Sequence, residues 1–169
     1  KRSDPIRKFV DPSAIIADAL GLAEIDAQSL GISIKKSIAP NLPAIHVDPI
    51  LIEQVLMNLL KNGMDSMKDT PEKELALFVA TRDDQIVFAV RDHGKGMAPE
   101  VRDHIFDSFY TTKTEGMGMG LNICRSIIES HQGRLWFEDN PEGGCLFQFS
   151  LPLGAVPESE RSPVTEKTQ

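Results

Sequence analysis

Apolar residues between positions 50 and 67 recur at the spacing of an α-helix that is buried along one side. They are Ile52, Val55, Leu56, Leu59, Leu60, Met64 and Met67. Steps of three and four residues are typical of a helix that packs one face against a core. Asp48 and Pro49 suit the start of such a helix, because aspartate caps free amides and proline fits the first turn. The pattern predicts a helix over residues 50–67.

Hydrophobic periodicity predicts the remaining elements as well. A second helical pattern covers residues 13–30 and ends at Gly31, and a third begins at residue 121 and ends at Gly133. Segments in which apolar and polar residues alternate predict six strands, over 31–38, 44–47, 74–81, 85–92, 134–138 and 145–151. The last four strands are predicted to pair as two hairpins. A short helical piece is expected near 99–105. Hairpins whose accompanying helices all cover one sheet face predict a two-layer α/β sandwich rather than a doubly wound parallel fold.

Length and composition fit one globular domain with tails. The chain has 169 residues, of which 41% are hydrophobic and 25% charged, an ordinary balance for filling a single core. Residues 1–12 mix charge with proline and are predicted to be a connector from a missing upstream domain. Residues 13–153 are predicted to form the domain, and residues 154–169 to be a disordered tail.

Charge and cysteine usage narrow the class of protein. A net charge of −7 argues against nucleic acid as the main partner, because nonspecific binding there depends on clustered lysine and arginine. No apolar run approaches the roughly 20 residues of a membrane span, so no direct membrane contact is expected. Cys124 and Cys145 lack CxxC spacing and metal-ligand neighbours, which predicts reduced thiols in a cytoplasmic domain and no zinc site.

The polar face of the 50–67 helix is unusual. At about 100° per residue, Asn58, Asn62 and Asp65 fall within roughly 60° of one another, with Gln54 nearby. Asparagine and aspartate are poor interior helix formers, so a solvated face would more often carry lysine and glutamate. Two amides and a carboxylate suit a hard cation or a polar ligand. On this pattern alone, a merely solvated face is an equal alternative.

One glycine cluster, Gly116-x-Gly118-x-Gly120, directly precedes the helix predicted from residue 121. Free amides at a helix start, approached closely because glycine has no side chain, favour an anion such as phosphate. The alternative is a flexible structural loop. The sequence contains no G-x-x-x-x-G-K-[ST], which excludes a P-loop.

A second cluster, Asp92-x-Gly94-x-Gly96, closes the strand predicted over 85–92. A carboxylate there can accept a hydrogen bond from an exocyclic amine, and glycines let a flat ring lie against backbone. A plain strand-ending turn is the alternative, because aspartate and glycine are common in turns.

Taken in order, these motifs resemble the ATP-binding domain of sensor histidine kinases, in the wider group that includes gyrase B, heat-shock protein 90 and MutL. The matching segments are 54–67 (N box), 92–96 (G1 box), 106–109 (F box) and 116–120 (G2 box). Residues 109–113 and 118–125 most resemble kinases linked to PAS sensor domains, such as oxygen and dicarboxylate sensors. The resemblance covers about residues 13–153. It implies a Bergerat fold, a mixed and mostly antiparallel sheet of about five strands covered on one face by three helices.

The resemblance also implies ATP and Mg²⁺ as ligands and gives roles to single residues. Asn62 would coordinate Mg²⁺ with help from Asn58, and these two would be the catalytic positions. Asp92 would bind the adenine amino group, while Gly94 and Gly96 would let the purine approach.

Residues from about 107 to 117 would form an ATP lid. The further residues implied in ATP binding are Lys61, Asp65, Thr111, Thr112, Lys113, Gly116, Gly118, Gly120 and Leu121. A solvated loop lysine is an equal alternative for Lys113.

At two positions the chain differs from the residue that is usual in similar proteins. Gly63 stands where such kinases usually have alanine, and a helical glycine costs roughly 1 kcal/mol. Either a close approach compensates for that cost, or the helix is weaker there. Asn58 stands where gyrase-like ATPases have a glutamate base. An amide cannot take a proton from water, which favours phosphotransfer over fast hydrolysis.

The implied reaction moves the γ-phosphoryl of Mg-ATP to a histidine on a separate dimerisation domain, for relay to a response regulator. None of His46, His93, His104 and His131 has the sequence setting of that acceptor. We expect a monomer for the isolated domain and a dimer for the full-length protein. A nucleotide-dependent switch module without phosphotransfer and a gyrase- or Hsp90-like ATPase are the alternatives.

Overall fold

The computed structural model describes residues 4–107 and 120–154. Four helices and seven strands occur within them. The helices are α1 (Pro12–Leu30), α2 (Pro49–Ser66), α3 (Pro99–Arg102) and α4 (Leu121–Ser130). The strands are β1 (Lys8–Val10), β2 (Ser33–Ile38), β3 (Ile45–Val47), β4 (Glu74–Arg82), β5 (Gln85–Arg91), β6 (Arg134–Asp139) and β7 (Cys145–Pro152).

Five of the strands form one mixed sheet in the order β2-β4-β5-β7-β6. β2 runs parallel to β4, and the other three neighbouring pairs are antiparallel. The hairpins β4–β5 and β6–β7 therefore meet through β5 and β7 at the centre of the sheet. Helices α1, α2 and α4 cover one face, which confirms the predicted two-layer fold.

The core lies between that sheet face and the three helices. Alternate residues of the central strands, such as Leu77, Phe88 and Phe149, are completely buried, and the rings of Phe88 and Phe149 stack at 4.6 Å. From the helix side, the apolar residues predicted on α2 are all at most 1% exposed. Full burial of a large apolar side chain contributes about 1.5–3 kcal/mol, so these residues strongly stabilise the packing of α2 on the sheet.

The helix ends follow the local chemistry of the sequence. Asp11 caps α1 by accepting a hydrogen bond from Ser13, and Gly31 ends it in the left-handed conformation, with φ 67°. The Asp48 carboxylate accepts from the amides of Ile50 and Leu51 and caps α2, with Pro49 at its first position. Such a cap is worth roughly 1 kcal/mol.

The segment before α1 is more ordered than the sequence predicts. Its residues Lys8–Val10 pair with β3 in a separate two-stranded sheet, although a strand of three residues is too short to show alternation. The amide of Ile6 donates to Asp48 Oδ2 at 3.0 Å, and the Arg7 guanidinium contacts the Ser130 carbonyl. Part of the predicted connector is therefore bound to the domain.

Among the described residues, no helix combines the length and the apolar character needed to cross a membrane.

His131 joins the end of α4 to the start of α2. Its side chain is buried, and its Nε2 accepts the amide hydrogen of Asp48 at 3.1 Å. Since Nε2 accepts, the proton lies on Nδ1, which donates to the Ile127 carbonyl at 2.7 Å. Burial is the main cause that lowers the pKa of His131, and the charges nearby are those of Arg7, Asp48 and His46.

Acidification is expected to weaken the fold through His131. The imidazolium cannot accept from Asp48, and its lowered pKa means that the folded state binds fewer protons than the unfolded state. The contribution is complete above the unfolded pKa of about 6.5 and declines as the pH falls from there towards the lowered folded pKa. Urea unfolding at several pH values between about 7.5 and 5.5 measures this decline. His131→Gln removes the titrating group, so an unchanged slope in that variant would contradict the prediction.

Candidate functional site

Asp92 lies directly after β5 at the end of the sheet and is a buried carboxylate, with 4% of its surface exposed. Its Oδ1 accepts backbone hydrogen bonds from Gly94 at 2.9 Å and Cys145 at 3.1 Å. Burial raises the pKa of Asp92, and these two bonds and the Ser66 hydroxyl partly oppose that effect. A buried acid held by fixed donors suits recognition of one polar group on a ligand.

Glycines surround Asp92 because neighbouring atoms come too close for a side chain. A Cβ on Gly94 would lie 2.4 Å from Ser66 Oγ and 2.7 Å from the Ser66 carbonyl oxygen. A Cβ on Gly144 would lie 2.3 Å from the Asp92 carbonyl oxygen. Gly96 has φ 73°, a conformation that other residues rarely adopt. The predicted Asp92 and glycine cluster is therefore a compact loop packed on α2 and on the β6–β7 turn.

The β6–β7 turn supplies a residue for which the sequence predicts no role. Asn140 is 8% exposed, and its Nδ2 donates to the Asp92 carbonyl at 3.0 Å. Its Oδ1 accepts from the Glu142 amide at 3.2 Å, which fixes the side chain within its own turn. Asn140 therefore fixes the backbone of Asp92. The sequence signal was only an asparagine in a glycine-rich hairpin, which is common in turns of any function.

Gly63 brings α2 against the sheet beneath Asp92. A Cβ on this glycine would lie 2.6 Å from Leu75 Cδ1 and 3.5 Å from Asp92 Cβ. Close packing thus explains why α2 carries glycine in place of alanine. At Gly63, therefore, α2 packs directly against Asp92.

A second contact joins α2 to α4. Asn58 Nδ2 donates to Cys124 Sγ at 3.0 Å, and the thiol is fully buried. Burial is also the main cause that raises the pKa of Cys124. Since the nitrogen and oxygen of an amide share one plane, this bond sets the direction of Asn58 Oδ1 as well. The sequence predicts only a reduced thiol at Cys124, without this contact.

The other predicted residues of α2 differ in exposure. Asn58, Asn62 and Asp65 are half-buried, and Asp65 forms an ion pair with Lys68 at 3.6 Å. Lys61 is exposed and lines, with Asn58, a groove of about 340 Å³ between α2 and α1. Asn58, Asn62 and Asp65 therefore all lie on α2, as predicted.

Gly120 and Leu121 stand at the start of α4. Gly120 is its N-cap, and its carbonyl accepts from the amides of Ile123 and Cys124. Leu121 packs at the edge of the core. Of the predicted lid over 107–117, the structure describes only Asp107. Five of the predicted ligand contacts lie outside the described residues: Thr111, Thr112, Lys113, Gly116 and Gly118.

The donor set fits a magnesium ion that is shared with phosphate. Within residues 4–107 and 120–154, no three His, Cys, Asp or Glu side chains form a metal cluster. The amide oxygens of Asn58 and Asn62 and the Asp65 carboxylate are nevertheless hard ligands. Magnesium typically takes one or two protein oxygens together with substrate phosphate and water. The site therefore suits the ion as a companion of a phosphate ligand.

Sequence comparison agrees with this geometry. The family model described as "Histidine kinase-, DNA gyrase B-, and HSP90-like ATPase" matches residues 47–155. Sensor protein FixL of Bradyrhizobium diazoefficiens is 39% identical over 153 residues, which cover 90% of this chain and 29% of FixL. C4-dicarboxylate transport sensor protein DctS of Rhodobacter capsulatus is 37% identical over 155 residues, covering 90% of this chain and 24% of DctS.

Structural comparison gives the same family. The catalytic domain of the histidine kinase ThkA matches with a TM-score of 0.77 at 28% identity, covering 86% of this chain and 95% of that domain. Full-length ShkA in complex with AMPPNP matches with a TM-score of 0.76 at 25% identity, covering 90% of this chain and 32% of ShkA.

The chain spans less than a third of the length of FixL and DctS, but nearly all of the isolated ThkA domain. Its match thus corresponds to one domain of the longer sensor proteins. The chain belongs to the histidine kinase-, DNA gyrase B- and HSP90-like ATPase family, and within that family it matches the catalytic domain of sensor histidine kinases.

Proposed function

We propose that this domain binds Mg-ATP and transfers its γ-phosphoryl group to a histidine on a separate dimerisation domain, for relay to a response-regulator aspartate. The observation that carries the proposal is the contact at Gly63. It packs the buried carboxylate Asp92 against α2, the helix that carries Asn58 and Asn62. A carboxylate for the adenine amine and hard oxygen ligands for the magnesium ion that accompanies the phosphates are groups suited to Mg-ATP.

At the adenine end, Asp92 accepts a hydrogen bond from the exocyclic amine. Its Oδ1 is already held by two backbone amides, and Asn140 holds its carbonyl, so the acid is oriented before the ligand arrives. Preorganisation of this kind lowers the entropy cost of binding. Gly94 and Gly96 line the approach of the ring.

At the phosphate end, Asn62 and Asn58 present amide oxygens from adjacent turns of α2. They would hold the magnesium ion, which when bound neutralises phosphate charge, while Asp65 and Lys61 contact ribose or phosphate. Gly120 and Leu121 at the start of α4 contribute amides to the phosphates. Thr111, Thr112, Lys113, Gly116 and Gly118 are proposed to complete the site from the lid.

The chemistry of the domain is then positioning and charge neutralisation. Asn58 cannot act as a general base, and its amide is engaged with Cys124, so activation of water by this residue is not expected. The complex of ShkA with AMPPNP and the kinase names of the relatives support ATP as ligand and phosphotransfer as reaction.

The acceptor histidine is proposed to lie outside residues 1–169. His131 is buried and uses both ring nitrogens within the fold. The proposed partners are therefore the protein's own dimerisation domain, which would make the full-length kinase a dimer, and a cognate response regulator. We propose a cytoplasmic location, because ATP and both partners would be available to the domain there.

Asp92→Asn is expected to weaken ATP binding without unfolding the domain. Asparagine keeps an oxygen for the amides of Gly94 and Cys145 but turns an NH₂ group towards the adenine amine. Loss of one hydrogen bond to a charged group, about 1.5–3 kcal/mol, corresponds to roughly a 10- to 100-fold weaker affinity. Because burial raises the pKa of Asp92, the neutral variant should match the wild type in thermal stability. Calorimetric titration of Mg-ATP with a parallel thermal melt measures both, and wild-type affinity in the variant would refute the adenine role.

Asn62→Ala is expected to remove the magnesium dependence of nucleotide binding. Wild-type affinity for ATP should fall about tenfold or more when EDTA replaces Mg²⁺, whereas the variant should bind equally in both conditions. Gln28→Ala, on the exposed side of α1, is the matched control and should behave as wild type. A variant that keeps the full magnesium effect would exclude Asn62 as the ligand.

Phosphotransfer is expected only when an acceptor domain is supplied. The domain joined to its upstream dimerisation domain should form acid-labile phosphohistidine from γ-labelled ATP. The isolated chain should release negligible phosphate. ATP binding without phosphohistidine would favour the switch module, and steady phosphate release from the chain alone would favour the gyrase-like ATPase.

A further inference from the structure

The five-stranded sheet has a second face that no described helix covers. Side chains alternate along a strand, so the neighbours of the core residues point to this side, which we call the open face. Its members along β4, β5, β7 and β6 include Phe78, Val87, Ala89, Arg91, Leu146, Gln148 and Trp136. The open face lies across the sheet from α2, so a role for it is independent of the proposed function.

The middle of the open face is an apolar depression. It has a volume of about 440 Å³ and lies over β4, β5 and β7. Its apolar lining includes Phe78, Val87, Ala89 and Leu146, and the Gln148 amide also lines it. A sheet packs stably when each apolar face is covered by another layer, and an α-helix is the usual cover of a single open sheet face.

The net charge of the open face is opposite in sign to that of the whole chain. Lys35, Arg82, Arg91 and Arg134 stand on the open face, against the two acids Glu74 and Glu138. The chain as a whole carries a net charge of −7. In the part of the chain that the structure describes, none of the four basic side chains has an acidic partner within 4.0 Å. Four basic and two acidic side chains leave a local excess of two positive charges on the open face.

Two of these arginines are stacked on aromatic rings. The Arg91 guanidinium lies 5.0 Å from the centre of Phe78, and that of Arg134 lies 4.9 Å from Trp136. Arg91 Nε is buried without a hydrogen-bond partner among the described residues. A stacked guanidinium keeps donors in its plane, where they bind carboxylates in a bidentate manner. The face thus offers arginine donors beside an apolar floor.

We propose that the open face docks an acidic amphipathic helix of another domain or protein. Its apolar stripe fills the depression, and its Asp or Glu side chains bind Arg91 and Lys35. The positive charge favours this occupant over a second copy of the chain, because self-association through one face would oppose like charges.

Trp136 makes the proposal measurable, because it is the single tryptophan of the chain and stands on the open face. The probes are two synthetic helical peptides with the same leucine stripe, one flanked by glutamates and the other by lysines. The Glu peptide should change Trp136 emission saturably, and more weakly as salt is raised. The Lys peptide should bind at least about tenfold more weakly.

Lys35 and Lys36 provide a matched pair of variants. They are consecutive in β2 and point to opposite sides, and Lys36 pairs with Glu24 of α1 at 3.4 Å. Lys35→Glu should raise the Kd of the Glu peptide at least about fivefold, whereas Lys36→Glu should leave it within about twofold. Arg91→Gln should weaken it as Lys35→Glu does. Since Lys35 is exposed, its variant keeps the test valid even if Arg91→Gln fails to fold.

Four outcomes would overturn the proposal. Equal binding of both peptides would show an unselective apolar surface, and failure of the Glu peptide to bind would remove the docking site. A change of Trp136 emission with protein concentration alone would assign the face to a second copy. A change of emission on deleting residues 155–169, without peptide, would assign it to the chain's own tail.

Discussion

The close approach of α2 to the sheet at Gly63 is the contact on which the rest of the site depends. There is no room for a methyl group between the helix and Leu75 without displacement of that side chain. Moving the helix outwards would separate Gly63 from Asp92 and would also loosen the buried leucines of α2. Stability and site geometry are therefore set by the same packing distance.

The buried acid illustrates how the fold tolerates a group that its interior disfavours. Desolvation raises the pKa of Asp92, so the ionised form is costly in the folded domain. Fixed donors from Gly94 and Cys145 offset part of that cost, and the neighbouring glycines let their backbones come within reach. An uncharged group with the same hydrogen bonds would not carry that desolvation cost. The role proposed for Asp92, as acceptor for an amine of the ligand, would account for an acid at this position.

Periodicity and end signals predict the four helices and six of the seven strands of the described residues, because the apolar residues of α2 and of the alternating strands face a single core. Asp48 and Gly31 fixed helix ends through their own local chemistry. The contacts of Asn140 and Cys124 could not be predicted, since their partners are 48 and 66 residues away in the chain. The strand β1 was missed for a similar reason, because pairing with β3 rather than local pattern defines it. Sequence order suggested which motifs form the site, and only the fold shows how they are held.

The Asp48 carboxylate has a consequence for force transmission along the polypeptide. One oxygen caps α2, and the other accepts the amide of Ile6. Tension on the chain before residue 6 therefore acts on the same side chain that anchors the helix of Asn58 and Asn62. A force that breaks the hydrogen bond between the Ile6 amide and Asp48 removes a restraint on the capping side chain. The polypeptide entering the domain is thus mechanically attached to the first turn of α2, at the opposite end from Asp65.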